Sequence, residues 1–267
     1  MKNLRHLLLL FLLCLVFPSW GSAQTVQLKD GKVFFAKEMR REGNFLFLKI
    51  ATPDGALKDE LVQLPQLERL EFSEPPELGE ARQLAQTGDA AVVLEKTAQP
   101  AAFFRTYADL PGSLWPEVMR LRLPALAVAG TPEMLSELQK TWAPTGDLEL
   151  DTAFRLLAAG QNDPAGARTA WKALAQPGAG TLAAGLSWLE IGQAELAAKQ
   201  WRSAARAFLS VEVFVPQHRL LLPKALLGAA KAFKEKGDHA KVAALVRELE
   251  SDFPGTPEVA ASADLLK

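Results

Sequence analysis

The chain has 267 residues, with 30 Lys and Arg against 31 Asp and Glu, a formal net charge of −1, and 49% hydrophobic residues. That balance supplies no counterion-release drive toward nucleic acid and no polybasic patch for anionic lipid. One cysteine, Cys14, excludes a disulfide framework and a cysteine metal site.

The N-terminus runs Met1-Lys2-Asn3-Leu4-Arg5, then an apolar stretch of 11 residues from Leu7 to Phe17, then Gly21-Ser22-Ala23 before Gln24. A charged start, a short apolar run and small residues at a cleavage point predict a signal peptide over 1–23. The run falls short of the roughly 20 residues a membrane-spanning helix needs, so no stable membrane anchor is expected after cleavage. Cys14 follows Phe11, Leu12 and Leu13 rather than a small residue, so no lipid anchor is expected either. The span left, 24–267, has 244 residues, 28 basic against 31 acidic for a net charge of −3, and no cysteine. It has room for a small domain and a repeat array.

Residues 24–73 carry apolar residues at period two: Val26 and Leu28, Val33 and Phe35, Phe45 and Phe47, with Leu46, Leu48 and Ile50 nearby. This period predicts strands. Asp30-Gly31, Glu42-Gly43-Asn44 and Pro53-Asp54-Gly55 supply the turns, Leu61, Val62 and Leu64 a fourth strand, and Leu67, Leu70 and Phe72 a short fifth. The size and pattern resemble the SH3-like or Sm-like small barrels. Ser73-Glu74-Pro75-Pro76-Glu77 closes the module, because proline removes a backbone donor and pushes its predecessor out of the helical region.

From 74 to 256 apolar residues recur at three and four, the helical period. Turn pairs at Gly88-Asp89, Gly130-Thr131, Asn162-Asp163, Lys199-Gln200 and Gly237-Asp238 are spaced by 42, 32, 37 and 38 residues. A unit near that length predicts stacked helical hairpins. One unit reads Trp188-x2-Ile191-Gly192-x2-Glu195, then Ala204-x3-Phe208, then Pro216. Small residues at 192 and 204 suit close helix contacts, and Phe208 and Trp201 are expected to fill the next layer. The next unit repeats it with Leu226, Ala229, Ala230, Phe233, Gly237, Val242, Val246, Leu249 and Pro254; the unit before has Phe154, Ala158, Ala167, Trp171 and Leu174. This pattern resembles the tetratricopeptide repeat (TPR), with Glu195 standing where the family has an aromatic. The hairpins expected over 77–105 and 114–142 match by period and turn only, and residues 257–267 are expected to form a capping helix.

No nucleophile elbow, P-loop, dinucleotide fingerprint or zinc-binding His pair occurs, so no catalytic, cofactor or metal residues are assigned. His218 and His239 fall in a connection and at a helix start, where solvation is the ordinary role. Two clusters remain as candidate partner-binding sites. Phe103, Phe104, Tyr107 and Trp115, in a stretch broken by Pro100, Pro111 and Pro116, are either an anchor for a peptide or packing between the first two hairpins. Lys224, Lys231 and Lys234 share one helical side. The resemblance implies that this side lines a concave groove, suited to an acidic segment or a C-terminal carboxylate.

The expectation is a mainly α protein, a TPR-like helical-hairpin solenoid preceded by a small five-stranded β module. The resemblance implies a non-catalytic scaffold or adaptor that binds a protein or peptide, exported to the bacterial periplasm or beyond the cell. The alternative is an accessory subunit of an envelope enzyme or transport complex, with the β module contacting glycan.

Overall fold

The computed structural model describes residues 24–267 and divides into two compact units, one ending at Pro75 and the other spanning Pro76–Lys267. The expected signal peptide lies outside the described residues.

The first unit is an antiparallel sheet of β1 (Gln24–Leu28), β2 (Val33–Glu42), β3 (Phe45–Ala51), β4 (Leu57–Gln63) and β5 (Leu67–Glu71), in the order β4-β3-β2-β1-β5. Its three hairpins turn at Gly31, Gly43 and Gly55, whose φ values of 87°, 55° and 83° lie where a side chain is disfavoured. A one-turn 3₁₀ helix, Leu64–Gln66, lets β5 return to pair with β1. Alternation puts Val26, Ala36, Leu46, Leu48, Val62 and Leu70 on the buried face. Register shifts at Ala36/Glu38 and Gln27/Leu28 mark where the ladder breaks, as bulges do when they bend a strand.

The second unit holds twelve α-helices. Its first part contains α1 (Pro76–Thr87), α2 (Ala90–Lys96), α3 (Ala98–Arg105), α4 (Trp115–Ala129) and α5 (Pro132–Thr141). The hairpins that follow are α6 (Leu148–Asn162) with α7 (Pro164–Leu174), α8 (Leu182–Ala197) with α9 (Trp201–Phe214), and α10 (Leu222–Glu235) with α11 (His239–Asp252). A short α12 (Pro257–Ser262) packs on α10 and α11. Where one hairpin was expected over 77–105 there are three helices. Pro100 has no N–H for a helix continuing from Lys96, and the Thr97 hydroxyl donates back to the Val93 carbonyl at 2.6 Å, so the rod breaks between α2 and α3.

Most turn pairs are helix stops and starts. Asp89, Thr131, Asp147, Asp163, Thr181 and Asp238 each accept an N–H of the following first turn through the side chain, contributing about 1 kcal/mol apiece. At Lys199-Gln200 the stop is a lysine in the left-handed region, φ 58°. Residues 257–267 form α12 and a 3₁₀ turn, Ala263–Leu265; Thr256 and Ser262 are buried while Leu266 is exposed.

Consecutive helices from α6 onward pack side by side, but the array does not run open from end to end. Gly88, between α1 and α2, sits where a β-carbon would fall 2.7 Å from both Phe253 and Pro223. Leu220, in the 3₁₀ turn Arg219–Leu221 before α10, joins Ala85, Ala90, Val93, Leu94, Ala125 and Leu126 in one core. The first hairpin therefore folds back onto the last, with α4 in contact with α2, α6 and α8.

Candidate functional site

The hairpins that carry the repeat pattern are held by Phe208. Its ring, buried on α9, stands between two glycines: a β-carbon at Gly192 on α8 would come within 2.7 Å of Cδ1, and one at Gly228 on α10 within 2.6 Å of Cζ. Carbon contacts relax at about 3.5–4.0 Å, so a side chain at either position requires the ring to shift. Ala204, one turn earlier on α9, is fully buried. Trp188 stacks on Phe214 with centroids 6.5 Å apart. Glu195 accepts from Arg168 Nη2 at 2.7 Å and ties α8 to α7. Trp201, expected in the core, is half-buried at the start of α9.

The three lysines differ from one another in role. Lys224 is half-buried and its Nζ donates to the Ala127 carbonyl at 2.7 Å, in the last turn of α4. Burial lowers its pKa, while Glu190 and Glu258 pull it back up. Burial raises that of Glu190, opposed by Lys224. Lys234 donates to the Asp264 carbonyl at 2.7 Å. Lys231 is exposed. The spacing of seven and three put these residues on one side of α10, but two of the three ammonium groups are committed to backbone carbonyls.

The aromatic residues also separate. Phe104, Tyr107 and Trp115 are buried and Phe103 is half-buried. Phe103 meets Phe104 edge-on at 5.0 Å and Tyr107 at 5.2 Å. Trp115 belongs to another group: its Nε1 donates to the Ala143 carbonyl at 2.9 Å, its ring lies 6.1 Å from Trp142, and Trp142 stacks on Phe154 at 3.8 Å. Of the two readings of this cluster, burial favours packing between hairpins.

The residues that sequence reasoning missed are those that join distant helices. Arg219 donates from Nε to the Gln86 carbonyl at 3.1 Å and from Nη2 to the Asp252 carbonyl at 3.2 Å, with its guanidinium 4.4 Å over the Phe253 ring. Arg122, whose pKa burial lowers, donates to the Leu94 carbonyl and Thr97 Oγ1, both at 3.0 Å. With Lys224 they form a common device, a cation on the last-turn carbonyls of α1, α2, α4 or α11, where the helix dipole is negative. Glu149 makes another junction: near the start of α6, it accepts the Leu182 N–H at the start of α8 and lies 3.8 Å from His218 Nε2. Burial pushes the His218 pKa below its ordinary value, and Glu149 opposes that. Short-range periodicity carries no signal for any of these contacts.

Among the described residues, no group of three or more His, Asp or Glu is placed to hold a metal ion, and no helix is long and apolar enough to cross a membrane. The sequence matches no protein-family model, and neither a curated protein nor a solved structure matches it.

Proposed function

We propose that this chain is an exported adaptor of the bacterial envelope, built on TPR-like hairpins and an SH3-like or Sm-like β module, that acts by binding another protein rather than by catalysis. The observation carrying the reading is Phe208 between Gly192 and Gly228. In a tetratricopeptide array the large residue of each second helix wedges between the small residues of the first helix of its own unit and of the next, and these three residues stand in that relation. The strand order β4-β3-β2-β1-β5, with a 3₁₀ turn returning β5 to β1, supports the small-barrel reading of the first unit. Export rests on the 1–23 pattern of charged start, apolar run and small residues.

Lys231, exposed on α10, marks the surface to probe. The test is expression with the native leader, followed by photo-crosslinking from position 231 in intact cells, with buried position 229 as control. The reading expects exported protein beginning at Gln24, and one discrete adduct formed from 231 but not from 229. Cytoplasmic protein retaining Met1 refutes export, and no discrete adduct at 231 refutes this surface as the adaptor site.

A further inference from the structure

We propose that the outer side of α9 and α11 is a contact surface between two copies of this chain laid end for end, the starts of these helices in one copy meeting their ends in the other. Charge on both helices runs against their dipoles. Acidic residues in a first turn and basic residues in a last turn stabilise a helix, and neither α9 nor α11 has either. Instead Arg202 and Arg206 stand in the first half of α9 and His239 and Lys241 at the start of α11, while Glu212, Glu248, Glu250 and Asp252 stand toward the ends.

The two helices have their ends together. Glu212 is within hydrogen-bond reach of Glu248, and Arg219, just past α9, donates to the Asp252 carbonyl at 3.2 Å. Their starts therefore share the opposite end, and the surface has two poles. At the acidic pole, burial first and then the Glu212 and Asp252 carboxylates hold the Glu248 carboxyl above its ordinary pKa. The cation beside them, Arg247, donates to the Ala243 carbonyl of its own helix at 3.2 Å. At the basic pole Lys241 is paired with Asp238, but Lys199, Arg202 and Arg206 are exposed and their side chains make no hydrogen bond or ion pair among the described residues. Arg202, Arg206, Leu209 and Val213 follow at spacings of four, three and four and so share one side of α9. Val213 is 66% exposed, and among the described residues it is the one large apolar side chain left exposed on α8–α11.

The poles select the occupant. A partner of one sign gains at one pole and is repelled at the other. A second copy turned end for end brings carboxylates to the unpaired cations and cations to the crowded carboxylates, twice across a two-fold axis, as an isologous contact requires. The same turn lays the end of α9, with Glu212 and exposed Val213, over its start in the other copy, with Arg202 and half-buried Trp201. A copy set the same way round would place cation on cation and carboxylate on carboxylate.

The proposal is independent of the adaptor reading. Its test is sedimentation of the purified full chain over a wide concentration range, in low salt and in about 1 M salt, where charges are screened beyond about 3 Å. The samples are wild type, Arg202→Glu with Arg206→Glu, Glu212→Lys with Glu248→Lys, and the two variants mixed in equal amounts. Wild type is expected at the mass of two chains in low salt and of one in high salt. Each variant alone is expected at one chain, because like poles then meet, and the mixture at two, because each reversed pole finds its opposite. Arg202 and Arg206 are exposed, so their variant should keep the wild-type thermal midpoint and is decisive by itself. A wild type that sediments as one chain at every concentration in low salt overturns the proposal. So does a two-chain species that survives the Arg202 and Arg206 substitutions, or a mixture of the two folded variants that stays at one chain.

Discussion

Gly192→Ala and Gly228→Ala test the central packing directly, because both introduce a methyl group against the same ring. In an exposed helix each change stabilises by about 1 kcal/mol. Here the new carbon arrives at 2.7 Å from Phe208 in one case and 2.6 Å in the other, about 1 Å inside a relaxed carbon contact. Overpacking of this kind costs about 1–3 kcal/mol, so each single variant should lose up to about 2 kcal/mol net. A single variant retains an escape, since the ring can shift toward the remaining glycine. The double variant has none, and its loss should exceed the sum of the singles by about 0.5–3 kcal/mol, the range found for residues sharing a contact. Adding Phe208→Leu should recover part of the loss. The assay is thermal and urea unfolding of all variants, where 1 kcal/mol moves the midpoint by about 2–4 °C for a unit of this size. A double variant that melts at or above wild type would show that the three helices do not meet as described.

Arg219→Ala should cost about 1.5–3 kcal/mol by removing charge-assisted bonds to Gln86 and Asp252, and amide exchange should accelerate in α1 as well as α11; protection unchanged in α1 refutes its role in closure. Lys199→Gly should stabilise by roughly 0.5–1 kcal/mol, because the φ of 58° suits glycine; a lower melting point contradicts this. Lys224→Glu should cost about 3 kcal/mol or more by placing a second carboxylate near Glu190, whereas Lys231→Glu should stay within about 0.5 kcal/mol, both read by urea denaturation. For His218, burial lowers the folded pKa below the ordinary 6.5, so between the two values the unfolded chain binds more protons. Its stabilising contribution is present above pH 6.5 and is lost as pH falls through the folded value. His218→Gln should lose that part of the slope; an identical pH profile in both proteins refutes the assignment.

What was legible in the sequence is what depends on near neighbours. Glycine turns, Asp and Thr caps, period two before Ser73 and the helical period after it all express contacts within a few residues. Gly192 and Phe208 were legible as a small and a large residue at a spacing that suits two packed helices. Lys224 was grouped with Lys231 and Lys234 as a partner-binding row because helical spacing carries no sign of its acceptor, Ala127, which lies 97 residues earlier. Arg219 was invisible for the same reason, with Gln86 lying 133 residues away. Trp115 was grouped with Phe103, Phe104 and Tyr107 by chain proximity, although its partners Trp142 and Ala143 arrive from the far end of α5.

The return of Gly88 onto Phe253 and Pro223 changes how the helical unit can fail and how it can evolve. In a linear array each repeat contacts only its neighbours, so ends fray separately and units are gained or lost with local consequences. Here deletion of α1 would uncover Leu220 and the Phe253 ring at the opposite terminus, and insertion of another hairpin would carry Gln86 and Arg219 out of reach of each other. The number of hairpins is therefore part of the fold itself, and the first and last should melt together in one transition.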